Sequence, residues 1–179
     1  KLPGRVSAFR TAEIRPQVSG LIIERLFEEG SNVTRGQALF QIDTASFAAD
    51  VASAEAMLQK SEAALAQAVA ELERAKGLRK SNNISDQTYD QIASQRAQAE
   101  ADVAQAKAGM KKARLSLDFA TVRAPIDGKI GAAKVGEGAL ADATSTTSLA
   151  TVQQIDKVHI DIRQPASRLD HLRALARTG

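Results

Sequence analysis

The chain has no cysteine and no tryptophan, and only 3% of its residues are aromatic. The lack of cysteine excludes disulfides, cysteine nucleophiles and thiolate metal sites, and it fits either the cytosol or the periplasm. So few Phe and Tyr cannot build a large globular core from bulky side chains. Yet 44% of the residues are hydrophobic, and much of that share is alanine, which builds helices that pack closely. No apolar run approaches the roughly 18 residues of a membrane span. A net charge of +3, from 24 basic and 21 acidic residues, is too slight and too interleaved for nucleic acid, and no aromatic-plus-basic platform is present to stack bases. His159 and His171 stand alone, without ligand-spaced companions, so no metal site is expected. No Ser/His/Asp constellation and no phosphate-binding glycine loop is present, and the paired carboxylates follow helix-surface spacing. No enzymatic activity and no cofactor are expected. The opening "KLPGRVSAFR" has no initiator Met and already reads as extended, as expected of a processed or trimmed chain.

What the chain does have is a repeat. "PQVSGLIIERLFEEGSNV" and "PIDGKIGAAKVGEGALAD" are alike: Gly20 precedes Glu29-Gly30, and Gly128 precedes Glu137-Gly138, at an offset of 108 residues. Each glycine opens an apolar, strand-like run, and each Glu-Gly pair reads as a turn with φ > 0 at glycine. From Arg5 to Ile42 the pattern is strand and turn. A turn at Arg35-Gly36 leads into an alternation that sets Leu39 and Gln41 against Phe40 and Ile42.

At Thr44 the period changes. Val51, Leu58, Leu65 and Leu72 recur every seven residues, beside a second row of Phe47, Ala54, Ser61, Ala68 and Ala75. These are the a/d rows of a coiled coil, on a helix over about 45–79. "KSNNIS" is turn chemistry, and Ser85-Asp86 reads as an N-cap with an acidic first turn. The second helix carries rows of Tyr89, Arg96, Val103, Met110 and Leu117, and of Ile92, Ala99, Ala106 and Ala113. The short loop makes the helices antiparallel neighbours. "DFATVRAPIDGKIG" then returns the chain to β structure until about Val152. The tail adds an alternating strand (Val158, Ile160, Ile162) and a short amphipathic helix after Pro165.

Two half-motifs around glycine turns resemble the lipoyl/biotinyl-carrier fold. Their separation by a helical hairpin resembles the periplasmic adaptors (membrane-fusion proteins) of tripartite efflux pumps of the resistance-nodulation-division (RND) class, of the AcrA/MexA type. The stretches "GRVSAFRTAEIRPQVSGLI", "EEGSNVTRGQALFQID", "DFATVRAPIDGKIG" and "LATVQQIDKVHIDI" carry that resemblance across essentially the whole chain. It implies an elongated, modular α+β protein: a flattened lipoyl-like barrel split by a coiled-coil hairpin, plus part of a second β-barrel domain. The expected divisions are 1–12 (edge of the barrel domain), 13–43 and 119–152 (the two lipoyl-like halves), 44–118 (the hairpin) and 153–179 (the partial barrel domain). It also implies a periplasmic, inner-membrane-attached protein that works between an RND transporter and a TolC-type outer-membrane channel, six copies per pump. The family's lipidated N-terminal Cys, its full barrel domain and its membrane-proximal domain are not complete in this chain.

Adaptors that dock on TolC-type ducts share an Arg, a Leu four residues later and a Ser seven after that. "RAKGLRKSNNIS" has Arg74, Leu78 and Ser85 at that spacing, which the resemblance assigns to channel docking. Each also has a plainer reading. Ser85 caps the second helix, a role compatible with docking. Leu78 finishes the hairpin. Arg74 pairs with Glu71 or Asp86. Gly77 marks either close approach of a partner or fraying. A lipoyl or biotinyl carrier needs a modifiable Lys between its half-motifs, where "QIDTAS" has Thr44. An adaptor of an ABC exporter or type I secretion system shares the half-motifs and is not excluded by the tip. A purely structural coiled coil leaves the half-motifs unexplained.

Overall fold

The structure, a computed structural model, describes residues 4–162. The helix read after Pro165 and the site of His171 lie outside the described residues. The strands and helices follow in the order β1 (Gly4–Ile14), β2 (Gly20–Arg25), β3 (Asn32–Val33), β4 (Ala38–Ile42), α1 (Ala45–Lys80), α2 (Asp86–Phe119), β5 (Thr121–Arg123), β6 (Gly128–Ile130), β7 (Leu140–Ala141) and β8 (Ala150–Ile162). They form an α+β chain with two antiparallel four-stranded sheets, ordered β1-β8-β6-β3 and β5-β4-β2-β7.

The repeat governs how the two sheets join. Shifting the numbering by 108 residues maps β2 onto β6 and β3 onto β7, and it turns one sheet order into the other. The bonds between the halves come in matching pairs. The Gly30 amide donates to the Ile130 carbonyl at 2.9 Å, and the Gly138 amide to the Ile22 carbonyl at 2.8 Å. The Ile22 amide donates to the Ala139 carbonyl, and the Ile130 amide to the Ser31 carbonyl. Gly30 and Gly138 have φ of 76° and 82°, as the Glu-Gly turns require. Gly20 and Gly128 are required by close approach. A Cβ on Gly20 would sit 2.6 Å from the Ile42 side chain, and one on Gly128 would sit 2.5 Å from the Gln153 carbonyl oxygen.

The glutamates do more than occupy turns. The Glu137 carboxylate accepts the Arg25 amide at 3.0 Å, and the Glu29 carboxylate accepts the Ala133 amide at 3.0 Å. Each glutamate thus satisfies a backbone donor on the opposite half that the short strands leave unpaired. Between the sheets lies a core built from both halves, with Ile22, Leu39, Phe40, Ile42, Ile130 and Val152 fully buried. Phe27 meets Phe40 edge to face, centroids 5.2 Å apart.

The alternation read for β4 does not hold: Leu39 and Phe40 are both buried. The pairing of β4 with β5 shifts register between Ala38 and Phe40, and such a bulge turns neighbouring residues toward one face. β1 and β8 pair with each other from Gly4↔Ile162 to Ile14↔Ala150, with a register shift between Ala8 and Arg10. Beyond that shift Val158 and Ile160 are both exposed, and His159 stacks on Phe9 with centroids 5.3 Å apart.

The two helices lie antiparallel. Their flank is tied by Arg114–Glu55 at 2.7 Å and Lys107–Glu62 at 3.7 Å. Every residue of the four heptad rows is half-buried or buried, whereas nearly all other helix positions are exposed. Alanine along these rows brings the backbones together without a bulky core, so only Ala75 and Val103 are fully buried. Arg96 keeps its row half-buried, and its guanidinium pairs with Glu100 at 2.7 Å. Among the described residues no helix is long and apolar enough to cross a membrane.

Candidate functional site: the helical tip

At its root the helix pair leaves neighbouring strands. The Ile42 amide donates to the Ala120 carbonyl at 2.8 Å, just where the chain departs and returns. Thr44 is the N-cap residue of α1 but makes no side-chain cap bond. The Asp43 carboxylate instead accepts the Ala45 amide at 2.9 Å. The carrier lysine position is thus a helix start, with no tight turn to present a modifiable side chain.

From there α1 runs 36 residues, about 54 Å at 1.5 Å per residue. Its last buried residue is Ala75, and residues 76–80 are all exposed. The helix then closes in a Schellman turn. Asn82 takes the left-handed conformation with φ 55°. The Asn83 amide donates to the Leu78 carbonyl at 2.9 Å, and the Asn82 amide to the Arg79 carbonyl at 3.1 Å. The Ser81 hydroxyl adds a bond to the Leu78 carbonyl at 3.0 Å. Leu78 is therefore anchored through its backbone, while the residue stays 46% exposed.

Ser85 caps α2 as its sequence position predicts. Its backbone is extended, and its hydroxyl oxygen accepts the Thr88 amide at 3.2 Å. Asp86 in the first turn of α2, and Arg79 and Lys80 in the last turn of α1, suit the two helix dipoles. Arg74 is exposed, and Asp86 is not its partner: Arg79 holds that carboxylate at 3.0 Å. The Arg79 guanidinium also lies 4.4 Å from the centre of the Tyr89 ring. Lys76 pairs with Glu73 at 2.7 Å, and that hydrogen bond holds its ammonium above the ordinary lysine value. A Cβ on Gly77 would meet nothing within 4 Å, so no packing within the chain requires this glycine.

Arg74, Leu78 and Ser85 thus share one end of the helix pair. Arg74 and Leu78 present side chains to solvent, and the Ser85 hydroxyl is engaged as a cap. Sequence reasoning missed Arg79 and Asn82, and it read Tyr89 only as a heptad residue. "NN" signals a turn but not which Asn turns left-handed, and a cation over a ring depends on two helix ends meeting. Among the described residues no group of three or more His, Asp or Glu could hold a metal ion. The tip thus holds an apolar and a cationic side chain in solvent at the end of the helix pair.

Residues 10–153 match the family description "RND MFP, barrel-sandwich hybrid domain". The chain is similar to the multidrug export protein AcrE of Escherichia coli K12, 45% identical over 179 residues, covering 100% of this chain and 46% of the relative. It is also similar to the multidrug resistance protein MexA of Pseudomonas aeruginosa, 41% identical, covering 97% of this chain and 42% of that protein. The chain therefore spans less than half the length of these relatives. Among solved structures it resembles a MacA-MexA chimera containing the Pseudomonas aeruginosa MexA α-hairpin domain. That match has a TM-score of 0.64 and 28% identity, over 93% of this chain and 56% of that one. It also resembles ZneB from Cupriavidus metallidurans, with a TM-score of 0.60 and 26% identity, over 95% of this chain and 72% of that one.

Proposed function

The chain belongs to the RND membrane-fusion-protein family, and from that premise we propose that it is the barrel-and-hairpin part of a periplasmic adaptor for multidrug efflux. In this reading residues 13–43 and 119–152 form one lipoyl-like barrel, and residues 44–118 form a coiled-coil hairpin. Residues 1–12 and 153–179 belong to the edge of a second β-barrel domain. Copies of the barrel pack side by side, six in an assembled pump, and their hairpins bundle into a tube. The root end faces an inner-membrane RND transporter, where the full-length protein is attached to that membrane. The tip, through Arg74, Leu78 and Ser85, meets a TolC-type outer-membrane channel. The protein acts by spanning and aligning rather than by catalysis.

The observation that carries this reading is the tip. A 36-residue helix ends in a closed turn that holds Leu78 by its carbonyl and leaves the leucine side chain in solvent. The cap fixes where that side chain stands, and an apolar side chain held at the end of a rod suits an apolar groove on a partner. The names of its relatives, multidrug export protein and multidrug resistance protein, support efflux as the task.

The test is complementation of an adaptor-deleted strain by the full-length protein carrying Arg74→Asp or Leu78→Ser. Both positions are exposed, so each change is expected to alter stability by no more than about 0.5–1 kcal/mol. Each is expected to abolish drug resistance while thermal unfolding and helix content stay near those of the parent. Changes at Lys60 and Lys107, far from the tip, are expected to be tolerated. Full resistance with both tip variants at equal expression contradicts tip docking.

A further inference from the structure

We infer that Arg79 is the positioning residue of the docking tip: seated on the Tyr89 ring and paired with Asp86, it holds the Leu78 turn against the start of α2. This inference rests on the docking reading and adds a residue that the Arg-Leu-Ser spacing does not contain. The apolar seam ends at Ala75, and the following five residues of α1 are all exposed. Leu78 therefore sits on a stretch that the seam does not attach to α2. The Schellman bonds fix Leu78 to its own turn, with the Asn83 amide on the Leu78 carbonyl and the Asn82 amide on the Arg79 carbonyl. They do not fix that turn to the second helix.

Arg79 does both. Its carbonyl belongs to the turn, and its side chain reaches across the gap. There the guanidinium meets the Asp86 carboxylate at 3.0 Å and the Tyr89 ring at 4.4 Å. Asp86 adjoins Ser85, whose hydroxyl is bound to Thr88. The chain of contacts thus runs from Leu78 through Arg79 to the Ser85 cap. An arginine suits this role because its planar group can stack on a ring and donate to a carboxylate at once.

The experiment measures the dissociation constant of the full-length adaptor for a purified TolC-type channel in detergent, beside thermal unfolding. The variants are Arg79→Gln, Arg79→Lys, Asp86→Asn, the double Arg79→Gln/Asp86→Asn, and Leu78→Ser. Arg79→Gln is expected to weaken docking about fivefold to tenfold, as one exposed ion pair plus one cation–ring contact implies. The unfolding midpoint should fall by no more than about 2–4 °C, as the loss of two exposed contacts at a helix end implies. Asp86→Asn should weaken docking less, because the ring contact remains, and Arg79→Lys should recover part of the loss. The double variant should bind no worse than Arg79→Gln, because Arg79 acts through Asp86 and not on the channel. If the two losses multiply instead, Arg79 touches the partner itself and the positioning role is wrong. If Arg79→Gln binds like the parent while Leu78→Ser does not, the docking reading stands and the role of Arg79 falls. If Leu78→Ser also binds like the parent, both fall.

Discussion

Glu29 and Glu137 show how much a single side chain does here. Each accepts a backbone amide from the opposite half, and Glu29 also pairs with Arg25 at 2.7 Å. The sequence marks both as companions of turn glycines. It does not show that they bridge the halves, because each donor lies more than 100 residues away. Only the pairing of β2 with β7 and of β3 with β6 brings donor and acceptor together. Glu137→Ala is expected to cost about 1 kcal/mol, which lowers the thermal midpoint by about 2–4 °C for a chain of this size. Glu137→Gln, whose amide oxygen still accepts, should recover most of that. Glu29→Ala should cost at least as much, since it also frees Arg25. Unchanged midpoints in both alanine variants would show that water replaces these bonds at no cost.

At the scale of elements, the helix pair is a graft on a complete β core. The buried cluster that joins the sheets contains no residue of α1 or α2, and only Phe47 leans on it from the helices. The strands that flank the insert are already bonded neighbours, with Gln41 opposite Thr121. Removing residues 46–116 and joining the ends by a short Gly-containing turn should leave a β protein that unfolds cooperatively. A molten or aggregated product under mild conditions would show that the helices are needed to form the core. The same division explains what the sequence discloses. The heptad rows are legible because the helix period is local: Val51 to Leu72 on α1 and Tyr89 to Leu117 on α2 all face inward. Ser85 is legible because a cap needs only the residues that follow it. The β4 alternation misleads because its bulge is set by β5, some eighty residues on. Arg79 and Asn82 escape notice because their roles exist only once the two helix ends meet.

At the scale of the whole molecule, a β body and a helix pair about 54 Å long place two surfaces far apart, and the account assigns them different partners. In the proposed assembly the body holds copies of itself together, and the tip meets a channel. The most direct measurement places a photo-crosslinking amino acid at position 78 of the full-length adaptor in growing cells, and at position 63 as a control. Both positions are solvent-exposed on α1, and position 63 is near its middle. Crosslinked products are identified by mass spectrometry in cells that retain drug resistance. The outer-membrane channel is expected as the product at position 78 and is expected to be absent from the products at position 63. Capture of the inner-membrane transporter at position 78, or of nothing but other adaptor copies, would contradict tip docking.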